Sequence, residues 1–541
     1  MVGHHWPVLG PGRVPGGPGP GLLAGPGAPP SAGTVMTAQH PAPRPAQPAG
    51  GNRILVVLLV PLFMSLMSVS VVNVALPAIE GGLNASSADL QWVLAGYALS
   101  FGVVLVAAGR AGDLWGRKPI FIAGILLFTV GSLASGLAVD PLMLNLSRVV
   151  TGLGSGLLNP QIIGIIQNVF HGRARGRAYG LFGTVVGLGV AIGPTMGGVI
   201  LGALGPEWGW RTTFLINVPF GVLSAVLAAA WLRPPARVRS EEARRSLGAL
   251  DPVGAVLLAA AVVCLMVPFI LPGTWLLLAA AAVLLGAWWL WEQRMKARFP
   301  VTGRAPMVDP ALFRIPSFSY STVATAFLLG AMPGLWAVQA IVTQQGLGYS
   351  ALAAGLTSLP TALAVMVLSP WIGSHVHRRG PLFVVVGAVL ALGAVALGMV
   401  AFHQIALGVW PFWTLALCLF PFGPAQALLM TSSQVLTMHE VPPRAAGAAG
   451  GVSQTAQRVL TAIGLAAVTG AFYASLAASG TDAATGGADG TAAEAAAVAV
   501  SYGEAADTAL LVVMGLLAVT LVAGVLDYIR RYRGGTLVLE D

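Results

Sequence analysis

Apolar runs of about 20 residues recur fourteen times between Ile54 and Ile529, and each can cross a hydrocarbon core of about 30 Å as a helix. Within that core every backbone amide and carbonyl must be paired inside its own segment or a closed barrel. Runs of this length therefore specify an all-α, multi-spanning membrane protein. They cover approximately residues 54–77, 90–108, 119–138, 142–168, 178–202, 212–232, 250–270, 274–291, 317–340, 351–371, 382–402, 409–433, 447–473 and 507–529.

Charge sets the orientation. Only 9% of the 541 residues are charged, against about 25% in a soluble domain. Of the 28 basic residues, 25 lie in the tails and in every second connection. The alternate connections hold only Arg211, and carry Glu80, Asp89, Asp140, Glu207, Asp482, Asp489, Glu494 and Glu504. This asymmetry predicts a cell-membrane protein with both termini in the cytoplasm. It also accounts for the net charge of +9 without a nucleic-acid partner. Cys264 and Cys418 both fall inside apolar runs, which gives no support to a disulfide or a metal site; no cofactor is expected.

The runs divide as six plus two plus six. Residues 1–50 form a Pro/Gly-rich tail expected to be disordered, with Met36 as an alternative start. Residues 51–233 make a first six-helix bundle, 234–249 a cytoplasmic linker, 250–291 an inserted helix pair and 292–316 a second linker. Residues 317–533 make a second six-helix bundle, with a low-complexity outside loop at 475–506, and 534–541 form the C-terminal tail. An internal repeat supports the division. "GRAGDLWGRKP" from Gly109 matches "GSHVHRRGP" from Gly373 as Gly-x3-Asp/His-x2-Gly, each following the second helix of its block. "RAYGLFGTVVGLGVAIGP" similarly echoes "AAGAAGGVSQTAQRVLTAIG" at the fifth helix of each block. Duplicated halves around a central site are a transporter plan.

The short turn at 109–118 concentrates Asp113, Arg110, Arg117 and Lys118 among Gly109, Gly112 and Gly116. The glycines allow tight turning, and Asp113 can accept from arginine or from free amides at a helix end. Gly109, Asp113, Gly116, Arg117 and Lys118 are thus read as a conformational latch, against the plainer reading of a charged topogenic loop. In this pattern the chain resembles the major facilitator superfamily, whose loop between spans 2 and 3 carries it. Gly189, Gly193, Pro194, Gly197 and Gly198 resemble the signature of that superfamily's antiporters. "WRTTFLINVPFG" and "VVNVALPAI" resemble the fourteen-span drug/proton antiporter family, of the multidrug efflux type. The resemblance covers about residues 52–533.

It implies alternating access with export of amphipathic drugs or secondary metabolites in exchange for protons, by a monomer embedded in the lipid bilayer. A facilitator or anion-selective exporter of the same fold is the alternative. An intramembrane enzyme is a remote one, since it would need clustered carboxylates or histidines. No nucleotide-binding motif is present: "GLGSGLL" at 152–158 lacks the lysine of a phosphate loop. The family's span-1 aspartate is matched here by Ser68, and its span-4 arginine by Arg148. An arginine inside the membrane costs about 2.5–3.5 kcal/mol on insertion scales and will not deprotonate to escape. Two readings stay open: structural satisfaction by Ser68, Asn145, Asn73 or carbonyls, and attraction of an anionic or electron-rich substrate. The superfamily pattern makes spans 1, 4, 9 and 12 line the cavity, nominating Ser65, Ser68, Asn73, Arg148, Asn159, Tyr320, Trp336, Gln339, Phe422, Gln426 and Met430. Arg458 in span 13 reads as a packing or pairing residue.

Overall fold

The computed structural model describes residues 51–232, 250–302 apart from 270 and 272, 306–442, 445–479 and 492–534. The expectations for the N-terminal tail, the 234–249 linker, the middle of the 475–506 loop and residues 535–541 lie outside them. Every regular element among the described residues is helical. The N-terminal block comprises α1 (Gly51–Leu83), α2 (Ser87–Trp115), α3 (Arg117–Gly136), α4 (Pro141–Val169), α5 (Gly172–Leu215) and α6 (Asn217–Trp231). Two helices follow, α7 (Pro252–Met266) and α8 (Leu276–Thr302). The C-terminal block comprises α9 (Pro316–Ile341), α10 (Ala351–Ala406), short α11 (Thr414–Leu419), α12 (Phe422–His439), α13 (Ala446–Ala478) and α14 (Ala492–Arg533).

Twelve segments among the described residues are long and apolar enough to cross a membrane. Two of them, Met196–Trp231 and Ala353–Ala406, each contain residues from two of the apolar runs. Within α5 the backbone leaves helical geometry at Gly205 (φ +72°, ψ 175°). Several acidic residues do local work at helix starts. Ser86 and Asp89 form a reciprocal capping box on α2, while Asp140 caps α4 and Asp251 caps α7, each followed by proline at the first helical position. These oxygens satisfy amides that a helix leaves unpaired.

Packing inside each block follows the repeat. In the first, α3 and α2 lie on α4, and α1 lies on α5; in the second, α9 lies on α13 and α14, and α10 on α12 and α14. Between apolar helices in lipid the gain comes from close van der Waals fit rather than from water exclusion. Small residues provide it. A Cβ at Gly154 would overlap the backbone of Phe128, so α4 and α3 touch main chain to main chain. The outer surface is correspondingly apolar, with Val256, Leu276, Val283, Val367 and Leu417 exposed, as a lipid-facing wall requires. A separate apolar cluster of Val72, Ile79, Val93, Leu144, Trp210 and Phe214 packs the end of the N-terminal block opposite its basic loops.

The close α3–α4 approach makes a paired test. Gly154→Val overpacks this contact, which typically costs about 1–3 kcal/mol, and should lower the thermal midpoint of the purified protein in detergent. Gly515→Val, where an added Cβ meets nothing within 4 Å, should leave it within error.

Candidate functional site: the seam between the halves and the Arg148 centre

The two blocks meet along α2–α13 and α5–α10, at the end of the bundle that carries the basic loops. Gly109 of α2 faces Gly447 of α13, and a Cβ on either would overlap the other's carbonyl. Gly373 of α10 faces Gly176 of α5 in the same way. The two sequence repeats therefore meet crosswise: the loop motif of each half rests on the fifth helix of the other. Asp113 completes the first crossing. Its Oδ1 accepts from Arg117 Nη2 at 2.9 Å and from the Gly447 amide at 3.1 Å, and its Oδ2 accepts from the Ala448 amide at 3.0 Å. Those amides belong to the first turn of α13, where free N–H groups and the helix dipole favour an anion. Gly116, at φ +96°, ends α2, and Lys118 Nζ donates to the carbonyls of Ala229 and Leu232, both at 2.7 Å, tying the loop to the end of α6. Further along the seam, Gln167 Nε2 donates to Met438 O at 2.7 Å.

The glycine-rich stretch of α5 packs on α1. Positions that a Cβ would crowd are Gly189 against Leu66, Gly193 against Ser70 and Gly197 against Val71; Ser70 Oγ donates to Gly189 O at 2.9 Å. Gly198 faces open space, outside this stripe. Pro194 lies within helix α5, and the non-helical backbone is found at Gly205 instead.

Arg148 is sealed, with 1% of its surface exposed. Its Nη1 donates to Ser68 Oγ at 3.1 Å and its Nε to Val93 O at 3.0 Å. The guanidinium lies 4.5 Å from the Tyr97 ring centroid and 5.6 Å from that of Phe214. Aromatic faces and neutral acceptors thus take the place of a carboxylate, and cation–π contact gains strength in such a desolvated setting. Seven residues into α4, Arg148 lies about 10 Å from that helix's start, beneath the Trp210–Phe214 cluster. Tyr97 also organises a polar chain. Its Oη hydrogen-bonds Ser155 Oγ at 2.7 Å and donates to Ser65 O at 3.0 Å, Ser65 Oγ donates to Ser155 Oγ at 3.1 Å, and Asn159 Nδ2 donates to Ser155 O at 2.9 Å.

The other nominated residues divide. Trp336 and Phe422 meet edge to face at 5.8 Å, and Gln426 and Met430 follow on the buried face of α12. Gln339 Nε2 donates to Thr357 Oγ1 at 2.7 Å and to Ala354 O at 3.0 Å, engaged with α10. Asn73 is exposed. Tyr320 sits beside Pro381, Val384, Leu436 and Asp527, at the basic end and apart from the Arg148 group. Arg458 stands 4.3 Å from the Phe101 ring centroid, one helical turn from Tyr97 on α2. Selecting spans 1, 4, 9 and 12 passed over Tyr97 and Phe101; the sequence signal was the 4-residue spacing of two aromatics in a helix that faces both blocks.

Comparison with known proteins agrees with this architecture. The family model described as Major Facilitator Superfamily matches residues 58–271 and 246–465. A protein of Streptomyces coelicolor named "Probable actinorhodin transporter" is 30% identical, over 82% of this chain and 76% of its own. The tetracenomycin C resistance and export protein of Streptomyces glaucescens is 30% identical, over 79% of this chain and 78% of its own. Among solved structures, the proton:xylose symporter XylE superposes with a TM-score of 0.56 at 15% identity, covering 86% of this chain and 95% of its own.

The Asp113 contact is open to direct measurement. Charge-assisted hydrogen bonds contribute about 1.5–3 kcal/mol each, so Asp113→Ala should loosen the seam. A cysteine placed at buried Ala449, in a background with Cys264 and Cys418 replaced, should react with a bulky maleimide at least about tenfold faster in that variant. Unchanged reactivity would show that the glycine crossings alone close this end.

Proposed function

Because the chain belongs to the major facilitator superfamily and is a transporter rather than an enzyme, we propose that it exports amphipathic drugs or secondary metabolites by alternating access, in exchange for protons. The observation that carries this reading is the Asp113 contact with the α13 amides. It joins the halves through a few directional bonds and bare backbone, a union that can part without breaking either block's core. The positive-inside pattern makes the seam end cytoplasmic, so the described state is closed toward the cytoplasm, with both termini on that side of the plasma membrane. Fourteen crossings fit better than twelve: the 54 residues of Ala353–Ala406 would extend about 81 Å as one helix, far more than a hydrocarbon core. The same holds for the residues on either side of Gly205. A single chain contains both halves, so a monomer suffices.

The cargo reading rests on the named exports of the relatives and on the lining chemistry. Trp336, Phe422 and Met430 offer apolar faces, while Ser65, Asn159 and Gln426 offer polar ones, a mixture suited to bulky amphipathic molecules. Arg148 and Arg458, both set on aromatic rings of α2, favour electron-rich or anionic groups. A second reading, the same transporter without proton exchange, is favoured by one observation: the partners of Arg148 are Ser68, Val93 O and two rings, with no acid there to carry a proton.

Inside-out vesicles with a preset pH gradient decide between them. Cargo-dependent collapse of the gradient is the expected result, with anionic aromatic metabolites giving the stronger response and Arg148→Ala reducing it at least about tenfold. Movement of labelled cargo with a flat gradient would favour the uncoupled reading, and no cargo movement in either direction would overturn export.

A further inference from the structure

The inserted helices α7 and α8 bring the α7 cap, Asp251, beside a second acidic side chain, Glu292. Asp251 caps the start of α7 and Glu292 lies in the second half of α8, ten residues before its last, Thr302. Asp251 is held: Trp291 Nε1 donates to its Oδ1 at 2.9 Å and its Oδ2 at 3.0 Å, and the Gly254 amide donates to Oδ1 at 3.1 Å. Glu292 has no exposed surface, and neither of its oxygens has a hydrogen-bond partner. The Met307 and Val308 amides and the Trp288 indole approach it without reaching hydrogen-bonding geometry. Asp251 Oδ2 and Glu292 Oε1 lie 2.6 and 3.0 Å from the point where Gly254 would carry a Cβ. Glycine at 254 thus leaves the two carboxylates one shared pocket.

We infer that Asp251 and Glu292 form a proton-binding site whose occupancy is linked to closure of the Asp113 seam. This rests on the alternating-access reading. A carboxylate in a dry site without hydrogen-bond partners favours its protonated form, and a second carboxylate facing the same pocket adds to that preference. The link to the seam is physical. Helix α7 packs against both α2 and α13, the two helices that Asp113 joins, so parting them disturbs the wall of the pocket. The Arg110 guanidinium, one turn before Asp113, acts electrostatically on Asp113, Glu292 and Asp251 together, and its Nε is buried without a partner. Arg110 thus links the pair electrostatically to the seam, where Arg117 makes the direct bond to Asp113.

Lys296 of α8 pairs with Asp309 at 2.7 Å; Arg294 and Arg298 lie exposed on α8, Arg314 lies exposed on the turn that follows, and Arg458 of α13 rests on Phe101. The closed seam keeps the pocket dry and its proton bound. Opening hydrates the pair and releases the proton, and by linkage a lower cytoplasmic pH favours the closed state.

Spin labels at exposed Arg173 and Arg379, on α5 and α10 across the seam, report this directly in the full-length protein with Cys264 and Cys418 changed to serine. Over pH 5 to 9 the closed-to-open ratio should rise as pH falls, by up to about tenfold per unit for one proton. Glu292→Gln should stay closed and lose that dependence, and Asp251→Asn, should the first variant fold poorly, should flatten it likewise. A parent distance indifferent to pH, or a pH response retained in both variants, overturns the site. A shift produced by sodium at fixed pH makes the occupant a metal cation and overturns the proton. Two distances that respond to added cargo but not to pH defeat this inference alone, whereas one distance under all conditions defeats alternating access with it.

Discussion

At each of two crossings where the halves of this protein touch, two carbonyls meet two alpha carbons, and no side chain stands between them. That closeness, at Gly109 with Gly447 and at Gly373 with Gly176, is the constraint on which the arrangement depends. It brings the first turn of α13 within reach of Asp113 and aligns α5 along α10. In lipid, helices gain little from apolar contact as such, since the surrounding chains are equally apolar. Shape and a few directional polar bonds decide how two blocks associate. Asp113 supplies those bonds where the dipole of α13 can strengthen them, and Arg117 balances the carboxylate from its own side of the seam.

The Arg148 centre solves a different problem with the same economy. A guanidinium cannot shed its charge, so removing it from water requires acceptors on every side. Here a serine hydroxyl, one carbonyl and the faces of Tyr97 and Phe214 supply them. Ion pairs among the described residues gather at the basic end instead, at Asp113 with Arg117, Lys296 with Asp309, and between Asp527, Glu440, Arg530 and Arg531.

Much of this was legible in the residues. Hydrophobic run length and the alternation of basic loops give a helical membrane protein, and Gly-x3-Asp-x2-Gly picks out the residues found at the seam. The repeat matched Gly109 to Gly373 but carried no information on pairing, because backbone contact between glycines leaves no complementary side chains to read. The positions of Asn73, Gln339 and Tyr320 depend on helix rotation, which a 20-residue apolar run with little amphipathic contrast does not encode. Tyr97 was missed because its role comes from a neighbour on another helix. Glu292 read as the edge of a linker, since a single acid beside Trp291 at a helix end gives no sign that Met307 and Val308 cover it.

Asp113 bonds main-chain amides on the far side of the seam, and this makes the junction lopsided as a target for change. Any residue but proline at 448 keeps the N–H that Asp113 uses there, while Gly447 and Gly451 must stay bare, since a Cβ at either would overlap the α2 backbone. On the α2 side a single nucleotide change can remove the only carboxylate. The carboxylate can therefore be lost by one change on the α2 face, and a compensating mutation opposite Asp113 has no side chain through which to act.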